Sequence, residues 1–439
     1  MNINLLDNNV ENSFVTTTLS RFRTLPALGI FINFITYLQA LKTYESALFF
    51  NPAGLMACQP SKPSNTAMNP ENSFGYDYDL LKNDPTTVLL KQGNQQVLIV
   101  GKYQARVMTS SSQGEEGFSY GWINHELIKS GKLGPHMNAF GGEERFWLGP
   151  EGGQFSVYFK QGDPFTFEHW QTPEIIDTET YSLVKSDSQK ALFHKDFEIE
   201  NYSGTKFKVS LDREIKLLSE SEAKTYLQIP LEGISWVGYQ TDNVLKNTGQ
   251  DWAKSTGVLS IWLLGMMKAS DQNTILIPYQ KGQEAAINAA YFGQILADRL
   301  IKKEGLLYFK ADANSRGKLG IPPKALVPLA ASYDAANHIL TILQFDYHGN
   351  QEYVNSMWEI QENPFQGDAL NAYNDGKNDT GTQMGKFYEL ESSSPAIALA
   401  HGQSLRHVQR TFHLEGSEEK LDQICQKLLG IKLVDLPWK

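Results

Sequence analysis

The chain has 439 residues, of which 41% are hydrophobic, 11% aromatic and 20% charged, with a formal net charge of -10. This composition supplies a large core and excludes global disorder. The acidic balance, with no cluster of Lys and Arg interleaved with aromatics, excludes the electrostatic footprint of a nucleic-acid binder. Length alone allows two or three average domains or one long β-sandwich.

The first 58 residues read as a leader. Arg21 and Arg23 precede an apolar run from Leu25 to Leu41, which Lys42-Thr43-Tyr44-Glu45 interrupts. A second run, Ala47 to Ala57, carries Asn51-Pro52 and ends at Cys58. A start near Leu38 or Leu41, with Lys42 as the charged region, fits the usual order of charge, apolar core and processing site. Leu55-Met56-Ala57-Cys58 resembles the lipobox of bacterial lipoproteins, in which the Cys is lipidated and becomes the new N-terminus; the alternative is a chance Ala-Cys in an ordinary helix. Residues 59–75, with Pro60 and Pro63 among polar residues, read as a flexible tether, and 76–439 as one β domain. The expectation is export, to the periplasm or outer membrane, on a lipid anchor at Cys58.

Strand signals begin at Thr87. Thr87 to Lys91, Gln96 to Val100 and Ala105 to Ser110 are separated by Gly93-Asn94 and Gly101-Lys102, as in hairpins. Gly121 to Gly131 reads as a short helical turn closed by its last glycine.

His136 to Gln154 then packs glycines, carboxylates, an Arg, a His and a Trp into one run, followed by alternating residues from Gln154 to Phe159 that read as a strand. Convergent polar and aromatic groups at a strand's mouth suit a binding cleft. Two tight turns, with Glu144 and Arg145 as a solvated pair and Trp147 as a core anchor, are the alternative.

Further short strands follow at Tyr181 to Val184, Ala191 to His194, Phe197 to Asn201, Phe207 to Ile215, Trp236 to Thr241 and Gly257 to Leu264. Helices are expected over Glu284 to Lys302 and Ser417 to Leu429. The second lacks a capping box, although Glu418 and Glu419 suit the dipole of its first turn; Cys425, the other cysteine, lies on its apolar face. Asn371 to Gly376 reads as a surface loop or as a sugar- or calcium-binding loop that includes Asp375. Glu389 and Glu391, two apart in a strand, share one face and suit proton transfer or a solvated surface. The fold expected is an all-β sandwich with a few short helices.

Leu390-Glu391, the polar run to Pro395, Ala400 to Leu405 and a final strand from Arg406 to Leu414 together resemble the C-terminal signature of galactose mutarotase-like proteins. The resemblance covers about Thr87 to Leu414 at the level of pattern; within the superfamily the chain looks most like uncharacterised bacterial lipoproteins. It implies a galactose mutarotase-like supersandwich, with Glu391 as the general base and Asn138 and Arg145 holding sugar hydroxyls. The family's catalytic His, in an Asn-Leu-x-x-His loop, has no counterpart at Asp242 to Asn247. The acid is therefore expected from His136, with His169 second and Glu144 also considered. Trp147, Glu144, Glu151 and Asp375 complete the expected sugar-binding set, with no metal required although calcium is compatible.

Two functions follow from these readings. One is an epimerase or glycoside-cleaving enzyme of the cell envelope; the other is a glycan-binding lipoprotein without turnover.

Overall fold

The computed structural model describes residues 69–438 apart from Asn350 and Asp379. The leader, Cys58 and most of the tether lie outside the described residues. Among the described residues no helix is long and apolar enough to cross a membrane.

Eighteen strands follow one another along the described residues. The first nine are β1 (Thr87–Gln92), β2 (Gln95–Val100), β3 (Arg106–Ser111), β4 (Gly142–Gly149), β5 (Ser182–Ser186), β6 (Lys190–Glu200), β7 (Lys206–Leu217), β8 (Ser235–Asn247) and β9 (Ser260–Lys268). The rest are β10 (Asn273–Pro278), β11 (Leu300–Lys303), β12 (Leu306–Lys310), β13 (Gly317–Ile321), β14 (Leu329–Asp334), β15 (Ile339–Phe345), β16 (Leu370–Asn374), β17 (Phe387–Ser393) and β18 (Ser404–Glu415). Five short helices accompany them: α1 (Phe74–Leu81), α2 (His125–Ser130), α3 (Glu174–Asp177), α4 (Glu220–Leu227) and α5 (Glu418–Leu429).

The strands form two sheets, one of eight in the order β1-β2-β3-β4-β9-β17-β16-β13 and one of ten in the order β11-β12-β10-β14-β15-β18-β8-β7-β6-β5. The protein is an all-β sandwich, as expected. Burial along the strands shows how it is layered. In β7 buried and more exposed residues alternate, the mark of a strand with one face in water. In β4, β9, β16 and β17 nearly every residue is buried. These central strands have the second sheet on one side and a roof of loops on the other.

Between the sheets, Phe146, Leu148, Ile261 and Leu263 pack with Val209, Leu211, Val237 and Tyr239. Charged groups in this layer are paired. Arg213, fully buried, donates to Glu144 at 2.9 Å, to the Asn243 Oδ1 at 2.6 Å and to the Ala105 carbonyl at 3.1 Å. A guanidinium held this way is compatible with burial, because each charge-assisted bond replaces one to water.

Several sequence expectations need correction. Gln154 to Phe159 is a looped segment in which Val157, Tyr158 and Phe159 are buried. Its alternation reflects aromatic packing, with Tyr158 stacked on Trp170 at 5.9 Å and its hydroxyl donating to the Leu148 carbonyl at 2.9 Å. The middle of the glycine-rich run, Gly142–Gly149, is itself strand β4, with loop on either side of it. Glu284 to Lys302 is not a helix: a single turn over Glu284–Ala286 gives way to Asn288, whose backbone pairs with Gly320, and to Gly293 at a φ of 87°. Its C-terminal end enters β11. Asp242 to Asn247, compared above with a catalytic loop, lies inside β8, and Asn371 to Asn374 is β16 rather than a surface loop. The C-terminal helix forms as read, and the turn read over Gly121 to Gly131 is helical only over His125–Ser130, with Gly121 and Ile123 in β-bridges; both helices end on a left-handed glycine.

Candidate functional site

The central strands place the site through one irregularity. Along β4 and β9, Gly142 opposes Met266 but Arg145 opposes Leu264, so β4 carries one extra residue between the two pairs. Glu143 and Glu144 therefore both point between the sheets. Glu143 accepts from the Ser110 hydroxyl at 2.9 Å and pairs with the His413 Nε2 at 3.0 Å, while Glu144 takes Arg213 and Gln409. Arg145 and Trp147 are left to face the other way, beside Trp262, Leu264 and Met266 of β9. Glycine is required where this strand begins: Gly141 has a φ of 93°, and a Cβ there would lie 2.0 Å from the Trp122 carbonyl oxygen.

On that outer face lies a cavity of about 290 Å³. Its floor is formed by Trp147, Trp262, Lys318 and Glu389; loops supply His136, Met137, Glu151, Trp170, Trp358 and Arg316. Four tryptophans surround it in a connected chain: Trp147 meets Trp262 edge-on at 5.6 Å, lies 6.5 Å from Trp170, and Trp170 stacks on Trp358 at 6.0 Å. Cations sit on these rings, Arg145 at 4.7 Å from the Trp147 centroid and the Lys318 Nζ at 4.7 Å from that of Trp262.

The charged groups are buried and interlocked. Arg145 pairs with Glu389, and Lys318 donates to the Glu391 Oε2 at 3.0 Å, which also accepts from the Trp262 indole at 2.9 Å. Burial pushes the Glu389 carboxyl well above the usual range, against the pull of Arg145 and with a push from Glu391. Burial likewise raises Glu151 to about 7, opposed by Lys318 and reinforced by Glu391. Beneath the floor, a chamber of about 20 Å³ holds Asp368, raised by burial to about 6 while the Tyr291 hydroxyl donates to it. Carboxyls poised near neutrality in a cleft are the groups that exchange protons.

Four expected residues line this cavity, namely His136, Arg145, Trp147 and Glu151. Four do not. Glu391, the expected base, is fully buried behind Lys318 and Trp262, its Oε2 accepting from both while its Oε1 has no hydrogen-bond partner. Glu144 is committed to Arg213 between the sheets. Asn138 donates through its side-chain amide and its backbone to Asp177, and its Oδ1 accepts from the Gly134 N–H at 2.8 Å. Asp375 accepts from the Tyr373 hydroxyl at 2.7 Å and from the Gly385 N–H at 2.9 Å, behind the wall. In each case a neighbour took the lining position or the partner took the polar group.

The His136 Nδ1 meets the Trp170 carbonyl oxygen at 2.7 Å; a carbonyl only accepts, so Nδ1 bears a proton and Nε2 of the neutral ring is an acceptor. His169, the second acid candidate, is a half-buried loop residue bonded to Thr166 at 3.0 Å, outside the cavity lining. Among the described residues no group of three or more His, Cys, Asp or Glu converges as metal ligands would.

Lys318, Trp262, Trp170 and Trp358 were not singled out by sequence reasoning. Trp262 sits in an apolar run and reads as core, while Lys318 had one signal, a lone cation between glycines in a short strand. A larger cavity of about 620 Å³ lies near α1 and α2, but its charged groups converge on each other, with His125 and Lys268 both on Asp77.

The sequence profile of the family of unknown function DUF6786 matches residues 72–437. The chain belongs to this family. No curated protein matches the DUF6786 chain. Among solved structures it is similar to a galactose mutarotase-like protein from Lactobacillus casei ATCC 334, at 10% identity and a TM-score of 0.44, covering 74% of this chain and 99% of that one. It is also similar to the Slr1438 protein from Synechocystis sp. PCC 6803, at 12% identity and a TM-score of 0.43, over 76% and 96% of the two chains. A galactose mutarotase related enzyme from Lactobacillus acidophilus stands at 8% identity and a TM-score of 0.41, over 74% and 97%.

Proposed function

We propose that the cavity binds a saccharide and moves protons at its anomeric centre, in the manner of an aldose epimerase. The observation that carries this reading is a single cavity in which aromatic faces meet two buried carboxyls displaced toward neutrality, Glu151 and Glu389. Sugar rings present apolar C–H faces to aromatic rings and hydroxyls to fixed charges. Arg145, Lys318 and the His136 Nε2 supply those polar partners.

In the reaction, the Glu389 carboxylate takes the proton from the anomeric hydroxyl. The C1–O5 bond breaks, and O5 takes a proton from the neutral Glu151. Rotation about C1–C2 in the open-chain aldehyde and return of both protons gives the other anomer. Burial leaves Glu151 about half protonated near neutral pH and makes Glu389, once ionised, a stronger base than a solvated carboxylate, although it disfavours that ionised form. Arg145 keeps the anionic form of Glu389 accessible.

The test is exchange between anomers, followed by magnetisation-transfer NMR on a panel of aldoses. Acceleration of exchange by the wild type, lost in Glu389→Gln, is expected; no acceleration on any aldose bound would remove the epimerase reading.

The four-tryptophan wall favours a second reading, a glycan-binding protein without turnover. It predicts saturable binding with unchanged anomer exchange. For the chain outside the described residues, we propose a lipid anchor at Cys58 and export to the cell envelope, on the strength of Leu55-Met56-Ala57-Cys58 and the polar tether after it.

A further inference from the structure

Exposed apolar side chains are unevenly distributed on this molecule. Nine large ones are exposed among the described residues: Leu133, Phe167, Leu183, Val184, Phe292, Leu296, Ile360, Met384 and Val434. Three of them line the cavity itself, Phe167 at 63% exposure, Phe292 at 45% and Met384 at 38%. Three more belong to the same loops: Leu133 is two residues before Pro135, Ile360 two after Trp358, and Leu296 four after Phe292. Six of nine thus cluster on the loops that bound one opening, whereas scattered single exposures need no explanation.

These residues also differ in kind from the cavity interior. The interior combines indole rings with paired charges, while Phe, Leu, Ile and Met carry neither donors nor strong acceptors. The two rim rings are held in place. Phe167 stacks on Trp170 at 6.0 Å and lies 4.7 Å from the His136 ring, and Phe292 has the Arg316 guanidinium 3.8 Å from its centroid and Tyr373 edge-on at 5.9 Å. A rim built to hold further sugar units would offer hydroxyl partners. This one offers apolar area, continuous with the cavity through Phe167 and Trp170.

We infer that the ligand is a saccharide bearing an apolar substituent, an acyl or alkyl chain, whose sugar enters the cavity while the chain lies on the collar formed by Phe167, Phe292 and Met384. The inference rests on the sugar-binding reading above. Because that reaction needs a free anomeric hydroxyl, the substituent is carried on another oxygen of the ring. Burying each methylene of such a chain favours binding, and no contact inside the cavity needs to change.

The experiment compares Kd by calorimetry for a panel of free aldohexoses and their 6-O-octanoyl esters, below micelle formation, on the full protein. The esters are expected to bind at least tenfold more tightly than their parent sugars. Met384→Ser and the double variant Leu133→Ser/Ile360→Ser, all at exposed loop positions, should each reduce that ratio. Equal affinity for ester and parent in the wild type overturns the collar and leaves the sugar cavity standing. An ester that binds Trp147→Phe, Trp262→Phe and the wild type equally, with no parent sugar bound by any of them, overturns the sugar reading and identifies an apolar groove instead. A ratio unmoved by the collar variants overturns the placement of the chain.

Discussion

Glu389 and Glu391 stand two residues apart on one face of β17, yet only Glu389 reaches the cavity, where Arg145 meets it, while Glu391 lies fully buried behind Lys318 and Trp262. The strand thus places one carboxyl in the cavity and, one pleat along, a carboxyl that accepts from the floor residues Lys318 and Trp262. Substitutions at the two positions should have separable effects.

Glu389→Gln keeps the shape of the side chain and removes its basicity. Anomer exchange should fall by about 10²–10⁴-fold, the usual span for loss of a general base. Sugar affinity should stay within a few-fold, which a titration on the same sample checks. A parallel fall in affinity would make Glu389 a binding group only.

Lys318→Met should destabilise the fold without touching the loops. It strands the Glu391 carboxylate with the Trp262 indole alone, and breaking a buried pair from one side costs about 3–5 kcal/mol. The Tm should drop accordingly, and Lys318→Met/Glu391→Gln should recover part of the loss. An additive double variant would show that the 3.0 Å contact carries no coupling.

Stability should decline from acid toward neutral pH on account of the cavity carboxyls. Glu151 at about 7 and Asp368 at about 6 both lie above their unfolded values, so the folded state holds their protons longer. The stability this contributes is complete below about pH 4, where unfolded carboxyls are protonated as well. It is lost as pH rises through 6 and 7. Thermal melts of wild type and Glu151→Gln across that window should diverge, with the variant the less sensitive to pH; parallel curves would place the Glu151 titration elsewhere.

Gly141→Ala tests the strand entry. A methyl group would be forced against the Trp122 carbonyl at a φ of 93°, a backbone region that costs a non-glycine residue about 1–3 kcal/mol before any clash. A large fall in the unfolding midpoint is expected, measured by denaturant titration.

Much of the fold was legible because period-2 alternation and turn residues survive in the long solvent-facing strands such as β7. Legibility ended where both faces of a strand are covered. β4 carries charge, glycine and aromatics on both sides and so reads as a loop, although its charged residues pair with Arg213 and His413 on one side and with Glu389 on the other. The converse error occurred at Gln154 to Phe159, where ring stacking imitates a strand's alternation. At the site, residue type was readable and orientation was not. Whether Glu144 or Arg145 faces the cavity depends on one extra residue in β4, and no composition or spacing signals its position. The Lys318–Glu391 pair joins residues 73 positions apart, and only strand order brings them together.

That extra residue has a consequence for how the protein can change. With Glu143 and Glu144 both turned inward, the interior network is complete before the strand reaches Arg145, and nothing from Arg145 outward is needed to neutralise Arg213. Trp147 can therefore change without disturbing the inner ion pairs, whereas Arg145 and Lys318 can change only together with Glu389 and Glu391. Members of the family with new ligand preferences should differ first at the position equivalent to 147, and keep both inward acids.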